Sequence, residues 1–295
     1  FLPLFFSTFF ISFGNGMVEA AYNPMIADMY EDNKATMLNK FHVWFPGGLA
    51  IGSLIAYFIT QMEGTWQVKL AVMYIPLAIY GALFYGQTFP KTANEMDKAS
   101  TSSNVKAIFS SPLYWFMLLC MILTATTELG TQSWVERILG NTGAQPLLIL
   151  FLVTGLMAVG RYFAGPIIHK LNIPGVLWIS SIISLIAIYM LSTATGGMVY
   201  VAAVMFAIGV CYFWPNMISF VAVYLPKTGA LGMSLIGGVG MVGLSICQPI
   251  IGKWMDSERA NAIATGLQGD AAELAAGQAT LDNIAWFPAI LVIAF

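Results

Sequence analysis

The sequence predicts an all-α bundle of membrane-spanning helices, and three observations carry that prediction. Of 295 residues, 58% are hydrophobic and only 9% charged, with a mean hydropathy of +0.78; soluble domains carry roughly 25% charged residues. Lys, Arg, Asp and Glu are absent from 41–62, 70–90, 107–127, 138–160, 171–226 and 228–252. Each of these runs reaches the roughly 20 residues that a spanning helix needs. They are continuously apolar rather than alternating, which argues against a β-barrel and for helices that satisfy their own backbone in lipid.

Taken in order, the first span runs from Phe1 to Ala27 and is free of charge except at Glu19. Runs 41–62 and 70–90 supply the second and third spans. The polar stretch from Lys91 to Lys106 has linker composition, which divides the chain into a bundle over 1–90, a linker over 91–112 and a second bundle over 113–295. Runs 107–127 and 138–160 are spans four and five. The 171–226 run is long enough for two, with turn residues from Ser192 to Gly197 near its middle. Run 228–252 is the eighth span, and the Ala/Gly-rich connection over 256–282 can hold a short helix. A ninth span starts near Asn283 and is incomplete, so the chain reads as a fragment.

Basic residues orient the bundle. The connections after spans one, three, five and seven hold Lys34, Lys40, Lys91, Lys98, Lys106, Arg161, Lys170 and Lys227, against Lys69, Arg137, Lys253 and Arg259 on the other side. The positive-inside rule places the first set in the cytoplasm. A net charge of −2 and the lack of a basic cluster leave no expectation of a nucleic-acid partner. Cys120, Cys211 and Cys247 all fall within spans, so no disulfide framework is expected. No metal or cofactor is expected, and neither HExxH nor GxSxG occurs, which argues against a membrane enzyme.

A carboxylate at bilayer depth costs roughly 2.5–3.5 kcal/mol, so Glu19 needs a function or a buried partner. Asn15, Glu19 and Asn23 are successive i+4 neighbours, with Ser12 and Tyr22 close to the same face. Thr124, Glu128 and Gln132 repeat the spacing in the fourth span, flanked by Thr127, Thr131 and Trp134. Tyr212, Asn216 and Ser219 form a third stripe, with Trp214 beside it. Isolated Ser, Thr and Asn in such helices usually serve as interhelical hydrogen-bond partners, whereas intramembrane carboxylates face cavities or proton paths. His42 opens the second span and suits either a structural hydrogen bond or a role as ligand or proton relay. Gly48 and Gly52 form a GxxxG pair that signals close helix packing. Glu136 and Arg137 read as a solvated pair at a span end.

The segment Gly14-Asn-Gly-Met-Val-Glu19-Ala-Ala-Tyr-Asn23-Pro24, together with Leu38-Asn39-Lys-Phe-His42 and the Gly-rich Phe45–Gly52, resembles helices four and five of major facilitator superfamily transporters. The nearest pattern is the fucose and sugar:proton symporter branch. Glu128, Gln132 and Trp134 look like its helix seven, and Phe213-Trp-Pro215 with Gly229–Gly252 like helices ten and eleven. The resemblance implies two six-helix bundles, of which this chain would hold helices four to twelve, the first three being absent. His169, in Gly165-Pro-Ile-Ile-His169-Lys170, stands where an Asp is common, and Phe45 replaces a polar residue of fucose transporters.

The resemblance implies alternating-access symport of a small polar solute, a sugar or nucleoside, with a proton. Glu19 and Glu128 would couple the proton. Asn15, Asn23, His42, Gln132, Trp134, Tyr212, Trp214 and Asn216 would meet the solute, and Arg161, Gly165 and Lys170 would gate the cytoplasmic side. A monomer in a bacterial inner membrane is implied as well. Efflux antiport, uniport and a non-transporting receptor are the alternatives. The Gly-Pro antiporter signature is not formed by Phe45-Pro-Gly-Gly48, which favours uptake.

Overall fold

The structure is a computed structural model that describes residues 2–90, 101–134 and 145–295. Lys91, Lys98, Glu136 and Arg137 lie outside the described residues, as does most of the polar half of the expected linker. The described residues are helical, without a strand. Helix α1 (Leu2–Met29) leads through a 3₁₀ turn to α2 (Lys34–Phe41) and α3 (Trp44–Gln61), which form one membrane-length segment broken at His42. Then come α4 (Trp66–Ala71), α5 (Tyr74–Phe84) and α6 (Thr101–Phe109). Helix α7 (Pro112–Ala125) continues through a π turn, Thr126–Gly130. The remainder is α8 (Pro146–Tyr162), α9 (Ala164–Thr193), α10 (Met198–Val210), α11 (Phe213–Tyr224), α12 (Gly229–Ala264), α13 (Gly269–Ile284) and α14 (Trp286–Ala294).

Among the described residues seven segments are long and apolar enough to cross a membrane, while α8 is a shorter apolar helix and α14 has 9 residues. The long 171–226 run divides where its turn residues predict, α9 ending at Thr193 and Gly196 taking φ 57°. The 256–282 connection is more helical than expected: α12 runs on to Ala264, and α13 fills 16 residues. Local chemistry sets other boundaries. Ser111 Oγ accepts the Tyr114 N–H at 3.2 Å and Pro112 sits at the first position, so α7 starts there. Asn172 breaks α9 with φ 57°, two residues before Pro174, and its Oδ1 caps the Gly175 N–H at 2.9 Å.

Small residues decide how closely the helices approach. Helices α3 and α8 cross antiparallel, a Cβ at Gly47 lying 3.8 Å from that of Ala158 and one at Gly155 3.9 Å from that of Ala50. The expected GxxxG pair is not the contact, since a Cβ at Gly48 or Gly52 would meet nothing within 4 Å. On α12, Gly240 and Gly243 receive Met121 and Ile122 of α7. Gly209 of α10 faces α9 so closely that a Cβ would stand 2.7 Å from the Ser184 nitrogen. Backbone cannot move aside as a side-chain tip can, so Gly209→Ala is expected to cost about 1–3 kcal/mol, the range for overpacking. Thermal unfolding in detergent measures this, and wild-type stability would contradict the contact.

The core lies among α7 to α14; of the earlier helices, α3 lies along α8, and α1 and α2 join at one end. There α2 packs on α11 and α9, and α1 packs on α12. Lys34, Lys40, Lys106, Lys170 and Lys227 stand at or near the helix ends on this side, which is therefore the basic end of the molecule. The first half of α1 and all of α4 and α5 remain exposed, with large apolar side chains such as Phe9, Phe13, Ile79 and Leu83. Surfaces of that kind suit the hydrocarbon of a bilayer.

Candidate functional site

Helical spacing brings the first polar stripe together. Asn23 lies one turn after Glu19 on α1, and its Nδ2 donates to Glu19 Oε2 at 2.7 Å. The break between α2 and α3 then delivers His42, 3% exposed, beside them. His42 Nε2 is 3.1 Å from Asn23 Oδ1, and Nδ1 is 3.8 Å from Glu19 Oε1. Glu19 itself is 24% exposed. The two carboxylate oxygens therefore face different groups, one the amide and one the imidazole.

The second half of the site centres on Glu128, which the π turn of α7 carries. Such a turn inserts one extra residue, so the positions beyond it are rotated by roughly 100° against a regular helix. Of the expected stripe, Thr124 and Glu128 are buried, and Gln132, beyond the turn, is half-buried. Arg161, in the last turn of α8, meets Glu128 with Nη2 donating to Oε1 at 2.7 Å, both residues 1% exposed. Its Nε donates to the Cys211 carbonyl at 2.7 Å, at the break between α10 and α11. Its Nη1 donates to the His42 carbonyl at 3.2 Å, at the break between α2 and α3. The Trp214 N–H donates to the other Glu128 oxygen at 3.3 Å. A buried ion pair is tolerated when such hydrogen bonds use its remaining capacity.

Two helix breaks thus lend otherwise unused carbonyls to one arginine. The two halves converge on a small cavity of about 40 Å³ lined by Asn15, Glu19, His42, Glu128, Arg161 and Trp214, among others. That space suits a few waters at most and is far below the roughly 300 Å³ of small-ligand pockets. The Trp214 indole and the Arg161 guanidinium both act on the Glu19 carboxylate across it. A larger cavity of about 450 Å³ lies at the basic end, between Asp28, Asn104 and Lys227, away from both glutamates.

Phe45 also lines the central cavity, and the remaining residues singled out in the sequence lie elsewhere. Asn216 is buried against α2, where its Oδ1 accepts from Asn39 Nδ2 at 3.0 Å. Tyr212 donates its hydroxyl to the Gly160 carbonyl at 3.0 Å, and the Trp134 indole donates to Gln248 Oε1 at 2.8 Å. Gly165 gives close approach to Thr36, whose Cγ2 would lie 3.1 Å from a Cβ there, and Lys170 is exposed. Sequence reasoning gives Asn39 no role beyond its place in the Leu38–His42 motif, overlooks Gln248, and sets Arg161 at a span end as a gating residue without a partner. The signal for Arg161 is Glu128 itself, because a buried carboxylate demands a cation. No pattern points to Gln248.

Comparison with known proteins agrees with this architecture. The family model for the Major Facilitator Superfamily matches residues 1–247. Among solved structures, the fold is similar to the crystal structure of the E. coli fucose:proton symporter FucP, with a TM-score of 0.62 and 15% identity. That match covers 93% of this chain and 73% of the symporter. No curated protein matches the sequence.

Proposed function

The chain belongs to the major facilitator superfamily, a family of secondary transporters and not of enzymes, and from that premise we propose that it carries a small polar solute, a sugar or nucleoside, together with a proton. The observation that carries this reading is the facing of two buried or half-buried carboxylates, Glu19 and Glu128, across one seam between the earlier and later helices. Glu128 is neutralised by Arg161 in place. Glu19 has no such direct salt bridge to a guanidinium, and that leaves it as the group that loads and unloads a proton. The fold it shares with a protein named as a fucose:proton symporter supports both the proton and the sugar.

Alternating access then requires the basic end to open. It is held closed by Asn39 on Asn216, by Arg161 on the His42 carbonyl and by Thr36 against Gly165. Separation of 1–90 from 113–295 along that seam, with 91–112 as the connection, would widen the small cavity enough to admit and release solute. Asn15 and Trp214 line it and can offer hydrogen bonds and a stacking face. By the positive-inside rule the basic end is cytoplasmic, and the likeness in fold to a bacterial symporter supports the inner membrane of a bacterium as its location.

Weakly buffered cells expressing the full chain are expected to alkalinise their medium when the solute is added. A uniporter leaves the pH unchanged, and an exporter exchanging against protons acidifies the cytoplasm without accumulating solute. Either result would replace symport.

A further inference from the structure

The hydrogen-bond pattern around Glu19 assigns a proton position that the carboxylate does not hold alone. Asn23 donates through Nδ2 to Glu19 Oε2, so its Oδ1 is the atom left for His42. An amide oxygen only accepts, and His42 Nε2 must therefore carry the hydrogen of that 3.1 Å contact. Nδ1 is then a bare lone pair in the neutral ring. It faces Glu19 Oε1, the oxygen that Asn23 does not use, at 3.8 Å. At 3.8 Å no hydrogen bond joins the two acceptors as they stand, and a proton on either Oε1 or Nδ1 would make them donor and acceptor.

We infer that His42 is the inner station of a two-station proton relay, with Asn23 as the positioning residue that fixes the ring. This rests on the symport reading above. The step is balanced: the O–H bond at Glu19 Oε1 breaks, an N–H bond forms at His42 Nδ1, and Glu19 is left as carboxylate beside imidazolium. The Nδ1 proton then passes to water admitted when the basic end opens. At 3.8 Å the pair is longer than the roughly 3.2 Å limit for direct transfer, so transfer awaits a shift of the Glu19 side chain.

The position of each group suits that order. Both line the central cavity, Glu19 part-exposed and His42 buried at the break between α2 and α3, where its carbonyl meets Arg161 at the closed seam. Charged groups facing His42 are Glu19 from α1 and Arg161 from α8, with Glu128 of α7 behind that arginine. The helices α9 and α11, which also pack on α2, place no ionised side chain among these contacts. Arg161 holds the His42 main chain by its carbonyl, so the residue that carries the ring also belongs to the latch that closes the basic end.

The test uses the full chain in proteoliposomes under an imposed pH gradient. Its probe is whichever member of a radiolabelled panel of monosaccharides and nucleosides the wild type accumulates most. His42→Gln keeps a donor and an acceptor but takes up no proton, and is expected to lower uphill accumulation by roughly 10²-fold, with exchange of labelled for unlabelled probe still measurable. Asn23→Leu frees the ring and gives a smaller loss with a displaced pH profile. Wild-type accumulation and pH profile in His42→Gln overturn the relay. Glu19→Gln, run beside it, separates the two levels: uphill uptake in that variant would remove the symport reading at Glu19, not the relay alone. Should His42→Gln lose its monodisperse elution peak, His42→Asn replaces it with an infrared titration of the Glu19 carboxyl band. The relay requires the midpoint of that band to move when the imidazole is removed, and an unmoved midpoint overturns it.

Discussion

Arg161→Leu is expected to be the most damaging single substitution in the chain, at about 3–5 kcal/mol of stability, the usual cost of stripping one partner from a buried ion pair. Arg161 is 1% exposed and satisfies Glu128, the Cys211 carbonyl and the His42 carbonyl at once. Leucine fills part of the volume and leaves all three buried acceptors without their donor. The attraction between the charges matters less than the cost of an orphaned carboxylate. The double variant Arg161→Leu with Glu128→Leu is therefore expected to recover much of the loss, because apolar replacement of a whole buried pair is often nearly neutral. The two carbonyls would stay unpaired, so recovery is incomplete. Denaturant unfolding in a fixed detergent compares the three proteins. Near-wild-type stability in the single variant would show that Glu128 finds another partner.

Glu19→Gln carries the largest functional effect. The amide keeps the length of the side chain and can still accept from Asn23 Nδ2, so the fold around α1 is preserved. It removes the only carboxyl of the site that is both exposed to the cavity and free of a direct salt bridge to Arg161. Proton-driven accumulation should collapse to simple equilibration, with exchange of solute across the membrane still measurable. The two partial reactions separate because exchange needs the seam to open and close but needs no net proton transfer. Uphill uptake at the wild-type level in Glu19→Gln would place the coupling group elsewhere, with Glu128 the next candidate.

Much of this site is legible in the order of residues alone. The i+4 spacing of Glu19 and Asn23 announces a hydrogen bond that the structure contains at 2.7 Å, because a helix brings such positions together whatever surrounds it. At Glu128 the same spacing meets a π turn, which inserts a residue and leaves Gln132 half-buried while Thr124 and Glu128 are buried. A π turn leaves no compositional mark in Thr-Thr-Glu-Leu-Gly. The glycine signal behaves likewise: Gly48 and Gly52 form the visible motif, yet Gly47 and Gly155 make the close crossing. Which side of a small-residue face is used depends on the helix that arrives against it.

Composition and charge placement by themselves determined the fold class, the apolar segments and the turn at Ser192–Gly197, because in lipid a backbone can be satisfied in few ways and polar residues mark where it leaves. They also singled out both glutamates, since a buried charge stands apart from an apolar run. Only the tertiary structure decided the partners. Arg161 reaches Glu128 across 33 positions of sequence, Asn39 meets Asn216 across 177, and His42 turns toward Glu19 at a helix break. Those pairings come from the packing of helices whose separation along the chain carries no periodic signal.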